Sequence, residues 1–108
     1  MTIVLDSNVL VAAIGTRNRL RPIWDAFLDG RFHIAVSEDI LKEYEEILYR
    51  LAAPGVAPFI MGILEESLEV KICQAYYKWR IITVDPDDNK FFDIAVASNA
   101  DFLVTNDH

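Results

Sequence analysis

The chain has 108 residues, of which 53% are hydrophobic, and its formal net charge is −7. This length predicts a single domain over residues 1–108, and the hydrophobic fraction excludes a disordered chain. The apolar runs are too short to cross a membrane, so we expect no membrane segment. The negative balance is the wrong sign for a nucleic-acid binder, unless a bound cation reverses the local charge.

Targeting signals and cysteine content bear on the compartment. No basic stretch followed by a long apolar run opens the chain, which argues against a secretory signal. The single cysteine, Cys73, cannot form an internal disulfide, and we expect it to be a core thiol within a helix. Both features predict a cytoplasmic protein.

The first half of the chain alternates short strands with helices. Residues 2–5 form a continuously apolar strand, and Asp6 or Ser7 then caps a helix that ends before Gly15. A second helix starts at Pro22, and a second strand covers residues 33–37. Ser37 caps a third helix, whose apolar residues form one stripe as far as residue 51.

The second half continues the alternation. Residues 56–78 are predicted as one kinked helix or two, residues 80–84 as a strand, residues 88–99 as a helix and residues 101–105 as a last strand. Strands that alternate with helices indicate a parallel sheet covered on both faces. The predicted fold is therefore a three-layer α/β/α domain with a small central parallel sheet.

Acidic residues fall where this fold brings distant segments together. Asp6 ends the first strand, and Asp107 follows the last one. Asp88 opens the helix before that strand. Glu43 and Glu45 border the two sides of the apolar stripe in the third helix, so the helical wheel does not choose between them. Each acid alone is explained by helix capping or solvation, but together they point to one edge of the sheet.

Carboxylates gathered at one edge repel one another unless a cation binds between them. Oxygen ligands suit Mg²⁺ or Mn²⁺, whereas His and Cys are too scarce for a zinc site. The sequence thus predicts a Mg²⁺ or Mn²⁺ site at the carboxyl edge.

Three stretches that carry these acids resemble the PIN domain, a family of metal-dependent ribonucleases that includes the VapC-type toxins of toxin–antitoxin pairs. The similar stretches are VLDSNVLVAA, VSEDILKEYEEIL and DPDDNKFFDIAVASNADFLVTND, and together they extend over nearly the whole chain. The last of them is the most specific. Members of the family usually continue beyond the final acid into a short helix and an edge strand. This sequence stops at His108, so we expect it to lack that C-terminal segment.

The resemblance implies a set of site residues. It implies that the catalytic and metal-binding acids are Asp6, Glu43, Asp88 and Asp107, with Asp93 as an additional ligand and Asn8 and Thr105 as hydrogen-bonding supports. It selects Glu43 over Glu45, because the family's acid directly precedes an apolar residue. Asp85 and Asp87 compete with Asp88 for the third position.

The expected activity is hydrolysis of single-stranded RNA by a Mg²⁺- or Mn²⁺-dependent endoribonuclease, the toxin of a toxin–antitoxin pair. Arg17, Arg19 and Arg21 would contact the RNA backbone, unless they only solubilise a loop. The expected partners are RNA, a small antitoxin and a second copy of the chain.

Two alternatives remain open from the sequence. A phosphatase of the haloacid dehalogenase type also begins with a strand that ends in Asp, but it requires a second Asp where this chain has Asn8. The other alternative is a catalytically weak protein whose acidic edge binds a basic antitoxin.

Overall fold

A computed structural model describes residues 1–73, 94 and 98–104 of the chain. The predicted strand over residues 80–84 and most of the predicted helix over residues 88–99 lie outside these residues. The same is true of six candidate site residues, namely Asp85, Asp87, Asp88, Asp93, Thr105 and Asp107.

The described elements are four strands and four helices. In chain order they are β1 (Thr2–Leu5), α1 (Ser7–Ile14), α2 (Arg21–Leu28), β2 (His33–Val36), α3 (Glu38–Leu51), α4 (Val56–Glu66), β3 (Val70–Ile72) and β4 (Phe102–Val104). The strands form one sheet in the order β3-β2-β1-β4, and every neighbouring pair is parallel. A small parallel sheet with helices confirms the predicted α/β fold.

The strand order determines where the helices lie. The steps from β1 to β2 and from β2 to β3 run in the same direction along the sheet. Right-handed crossovers therefore put α1 to α4 on one face, in agreement with the packing of α1 against α2 and α3 and of α3 against α4. Among the described strands, β4 lies on the opposite side of β1 from β2 and β3, so β1 and β4 flank the point at which the strand order changes. Open α/β sheets bind ligands at the carboxyl ends of the strands beside such a point.

Local sequence explains the helix starts. The Asp6 carboxylate accepts a hydrogen bond from the backbone N–H of Val9, and the Ser37 hydroxyl accepts one from Ile40. Both side chains occupy the N-cap position and satisfy donors that a helix leaves unpaired. Ser37 was predicted as a cap, and of Asp6 and Ser7, which the sequence left open, Asp6 is the cap of α1. Gly55 is the N-cap of α4 and has a φ of 87°, a conformation that favours glycine.

The core includes the residues between the sheet and α1 to α4, and the buried Ile94 also belongs to it. All four residues of β1 are buried, as are Ile34 to Val36 of β2. The predicted stripe of α3 faces this core through Ile40, Tyr44 and Leu48. Within the part of the chain that the structure describes, no helix is both long and apolar enough to span a membrane.

The prediction of helix over residues 56–78 is wrong between Ser67 and Cys73, because β3 lies there, and residues 74–78 lie outside the described residues. Ser67 ends α4 with an extended backbone, and its hydroxyl accepts a hydrogen bond from the N–H of Glu69. The backbone then pairs with β2, where Cys73 N–H donates to the carbonyl of Val36 at 2.7 Å. Cys73 is thus a half-buried residue after a strand and not a helical core thiol. Three residues of strand have too little periodicity to be recognised without their partner strand.

Candidate functional site

Asp6 lies at the carboxyl end of β1, beside the point where the strand order reverses. Its backbone N–H donates to the carbonyl of Val104 at 3.1 Å, which joins the end of β1 to the end of β4. Its carboxylate oxygen Oδ1 accepts the Val9 N–H at 2.9 Å. The half-buried Asp6 carboxylate therefore caps α1 and also lies at the edge where a ligand of this fold would bind.

Glu43 reaches the same region from the second turn of α3. The hydroxyl of Ser7 donates a hydrogen bond to its Oε2 at 2.5 Å, across 36 positions of sequence. Glu43 is half-buried, whereas Glu45 and Glu46 are exposed. Of the two acids that the helical wheel left open, the structure thus brings Glu43 to the residue that follows Asp6.

Tyr44 fixes the position of α3 at this corner. Its hydroxyl donates to the carbonyl of Leu5 at 2.5 Å, and its side chain is fully buried. Burial, reinforced by the negative charges of Asp6 and Glu43, raises the pKa of the Tyr44 phenol well above its ordinary value. The phenol stays neutral and keeps its proton for the hydrogen bond. The hydrogen bonds from Ser7 to Glu43 and from Tyr44 to Leu5 bring Asp6 and Glu43 to one corner, which we call the acidic corner (Asp6, Ser7, Glu43 and Tyr44).

The donor chemistry of the acidic corner fits a hard divalent cation. Two carboxylates from separate elements converge there, and Mg²⁺ and Mn²⁺ prefer oxygen ligands. Within residues 1–73, 94 and 98–104, no three His, Cys, Asp or Glu side chains are grouped so that they could hold a metal ion. The remaining predicted ligands, Asp88, Asp93 and Asp107, lie outside those residues.

The other described candidates lie elsewhere. Asn8 is exposed, and the hydrogen bond to Glu43 comes from its neighbour Ser7. Arg21 donates to the Asp25 carboxylate at 2.9 Å and to the carbonyl of Ile14 at 2.8 Å, so it fastens α2 to the end of α1. Arg17 and Arg19 are exposed in the loop that follows α1. The eight residues of α1 carry that loop about 12 Å along the helix from Asp6.

Two members of the acidic corner, Ser7 and Tyr44, were not predicted from the sequence as site residues. Ser7 was considered only as a helix cap, and its link to Glu43 depends on how α1 and α3 pack. Tyr44 carried a usable signal: it lies in the middle of the apolar stripe, and a buried tyrosine hydroxyl needs a hydrogen-bond partner.

The fold and the acidic corner together define an α/β domain with paired carboxylates at the carboxyl edge of a parallel sheet. A family model for the PIN domain matches residues 2–108, so the chain belongs to the PIN domain family. PIN domains are typically nucleases and generally use divalent metal ions. Neither the curated proteins nor the solved structures yielded a match to the chain.

Proposed function

We propose that this PIN domain is a Mg²⁺- or Mn²⁺-dependent endoribonuclease that hydrolyses phosphodiester bonds of single-stranded RNA. The observation that carries the proposal is the convergence of Asp6 and Glu43 at the carboxyl edge of the sheet. Both residues are half-buried, and the hydroxyl of Ser7, the residue after Asp6, donates a hydrogen bond to Glu43. Membership of a family of nucleases favours this activity over the phosphatase alternative.

The proposed ligand set consists of the two acids of the acidic corner together with acids that lie later in the chain. The acids that would hold the cation are Asp6, Glu43, Asp88 and Asp107, with Asp93 in addition. Asp107 follows Val104 by three residues, and the carbonyl of Val104 accepts the Asp6 N–H. A bound divalent ion supplies Lewis acidity toward the phosphate and the attacking water. Asn8 and Thr105 would orient the carboxylates by hydrogen bonds.

Substrate binding must overcome the negative charge of the protein. The net charge is −7, and the two carboxylates of the acidic corner repel phosphate. Arg17 and Arg19 are exposed cations at a distance from the corner, whereas Arg21 is already paired with Asp25. We therefore expect RNA to bind in the presence of the divalent ion, with Arg17 and Arg19 contacting the backbone away from the scissile phosphate.

The biological role that we propose is that of the VapC-like toxin in a toxin–antitoxin pair. A basic side chain of an antitoxin would complement the acidic corner and compete with the cation there. Homodimerisation would use α4, on which Phe59 is 68% exposed. Co-purification of a small basic protein and a mass measurement in solution test these two partners.

The decisive experiment for the nuclease is Asp6→Asn. Asparagine is as good an N-cap as aspartate, so the hydrogen bond to Val9 and the fold are retained while the charge is removed. We expect Mn²⁺-dependent cleavage of a fluorescent single-stranded RNA to be abolished. Asp39→Asn makes the same chemical change at an exposed acid of α3 and should leave cleavage unchanged.

Cleavage by Asp6→Asn at the parent rate would contradict the assignment. Turnover of a small phosphate ester, with none on RNA, would favour the phosphatase instead. If the isolated parent chain cleaves RNA, a purely antitoxin-binding role is excluded.

A further inference from the structure

Ser7 makes a contact that the proposed ligand set does not include. Its side chain is only 5% exposed, and its hydroxyl donates to Glu43 Oε2 at 2.5 Å. Hydrogen bonds from a hydroxyl to a carboxylate are typically this short and are stronger than those between neutral groups. The bond connects the first turn of α1 to the second turn of α3.

The hydroxyl of Ser7 is held rigidly relative to Asp6. Asp6 is the N-cap of α1 and is bonded to Val9 through its side chain, while its carbonyl accepts the Leu10 N–H at 3.1 Å. Ser7 is the next residue and begins the helix, so its Cβ cannot move independently of the Asp6 backbone. A bond from Ser7 therefore holds Glu43 at a set position relative to Asp6.

Glu43 needs such a restraint. A glutamate has three rotatable side-chain bonds, and α3 leaves Glu43 half-buried with solvent within reach. Tyr44 holds the backbone of α3 against Leu5, but it does not fix the rotamer of its neighbour. Repulsion from Asp6 would favour rotamers that turn the Glu43 carboxylate toward water.

We infer that Ser7 is a positioning residue, which holds the Glu43 carboxylate so that it and Asp6 bind one divalent cation. This inference rests on the proposed metal-dependent function. An ionised carboxylate has about four lone-pair sites, and the Ser7 hydroxyl uses one on Oε2. The hydroxyl thereby orients the group without neutralising it. Ser7 itself binds neither the cation nor the RNA.

The test is Mn²⁺ binding by the full chain, measured by titration calorimetry in the absence of RNA. We expect Ser7→Ala to weaken Mn²⁺ binding by about 10- to 100-fold, the usual effect of removing a residue that orients a metal ligand. Ser7→Thr retains the hydroxyl and should recover most of the affinity. Ser67→Ala is the matched control, because it removes a serine hydroxyl that accepts the nearby Glu69 N–H at the end of α4, outside the acidic corner. It should bind Mn²⁺ like the parent.

The outcomes separate this inference from the proposed function. If folded Ser7→Ala binds Mn²⁺ as tightly as the parent while Glu43→Gln does not bind it, Ser7 has no positioning role. The metal site itself would still be supported by that result. Absence of Mn²⁺ binding by the folded parent would overturn both. If Ser7→Ala does not fold, Ser7→Cys replaces it, since a thiol has similar size but is a weak donor. Parent-like affinity of Ser7→Cys would then refute the inference.

Discussion

Removal of the Tyr44 hydroxyl tests how the acidic corner is held together. Tyr44→Phe keeps the buried ring and its packing but deletes the donor to the Leu5 carbonyl. A buried hydrogen bond contributes about 1 kcal/mol net to the free energy of unfolding. The loss rises to about 3 kcal/mol if the Leu5 carbonyl finds no other hydrogen-bond donor. We therefore expect the free energy of unfolding to fall by about 1 to 3 kcal/mol.

The matched control is Tyr49→Phe, which deletes the same hydroxyl from an exposed tyrosine of the same helix. Tyr49 is 63% exposed, so its loss should change stability by less than about 0.5 kcal/mol. Urea unfolding followed by far-UV circular dichroism measures both variants. Equal stability of Tyr44→Phe and Tyr49→Phe would refute the argument that this hydroxyl fastens α3 to β1.

Two further predictions concern stability. First, the raised pKa of Tyr44 means that above about pH 10 the unfolded chain releases this proton and the folded chain does not. Above this pH, the difference in the free energy of unfolding between the parent and Tyr44→Phe, measured with urea, should thus decrease by about 1.4 kcal/mol per pH unit. A difference that stays constant from pH 9 to 11 would contradict this prediction. Second, a Cβ on Gly62, within α4, would meet no atom of the described residues within 4 Å beyond its chain neighbours and the backbone of its own helix, so Gly62→Ala should stabilise by about 0.5 to 1 kcal/mol. Gly55→Ala should destabilise the protein by about 1 to 2 kcal/mol, because the φ of Gly55 is 87°. Thermal melts measure both variants, and a Gly55→Ala protein that is more stable than Gly62→Ala would contradict these expectations.

Features of the fold that depend on neighbouring residues were predictable from the sequence. The apolar run of β1, the caps at Asp6 and Ser37 and the stripe of α3 are each encoded within about a dozen residues. Alternation of strands and helices then implies the parallel sheet, and a parallel sheet places the end of β1 at a ligand-binding edge. The sequence by itself therefore identifies Asp6 as a candidate site residue.

Tertiary packing decided what lies far apart in sequence. β3 is a strand because it pairs with β2, not because Val70–Ile72 has a strong pattern of its own. Glu43 and Glu45 are equivalent on an isolated helix, and only the packing of α3 against α1 brings Glu43 to Ser7. The same packing gives the Tyr44 hydroxyl its carbonyl partner. Hydrogen bonds between side chains on different elements have no local signature, because their geometry depends on how whole helices and strands pack together.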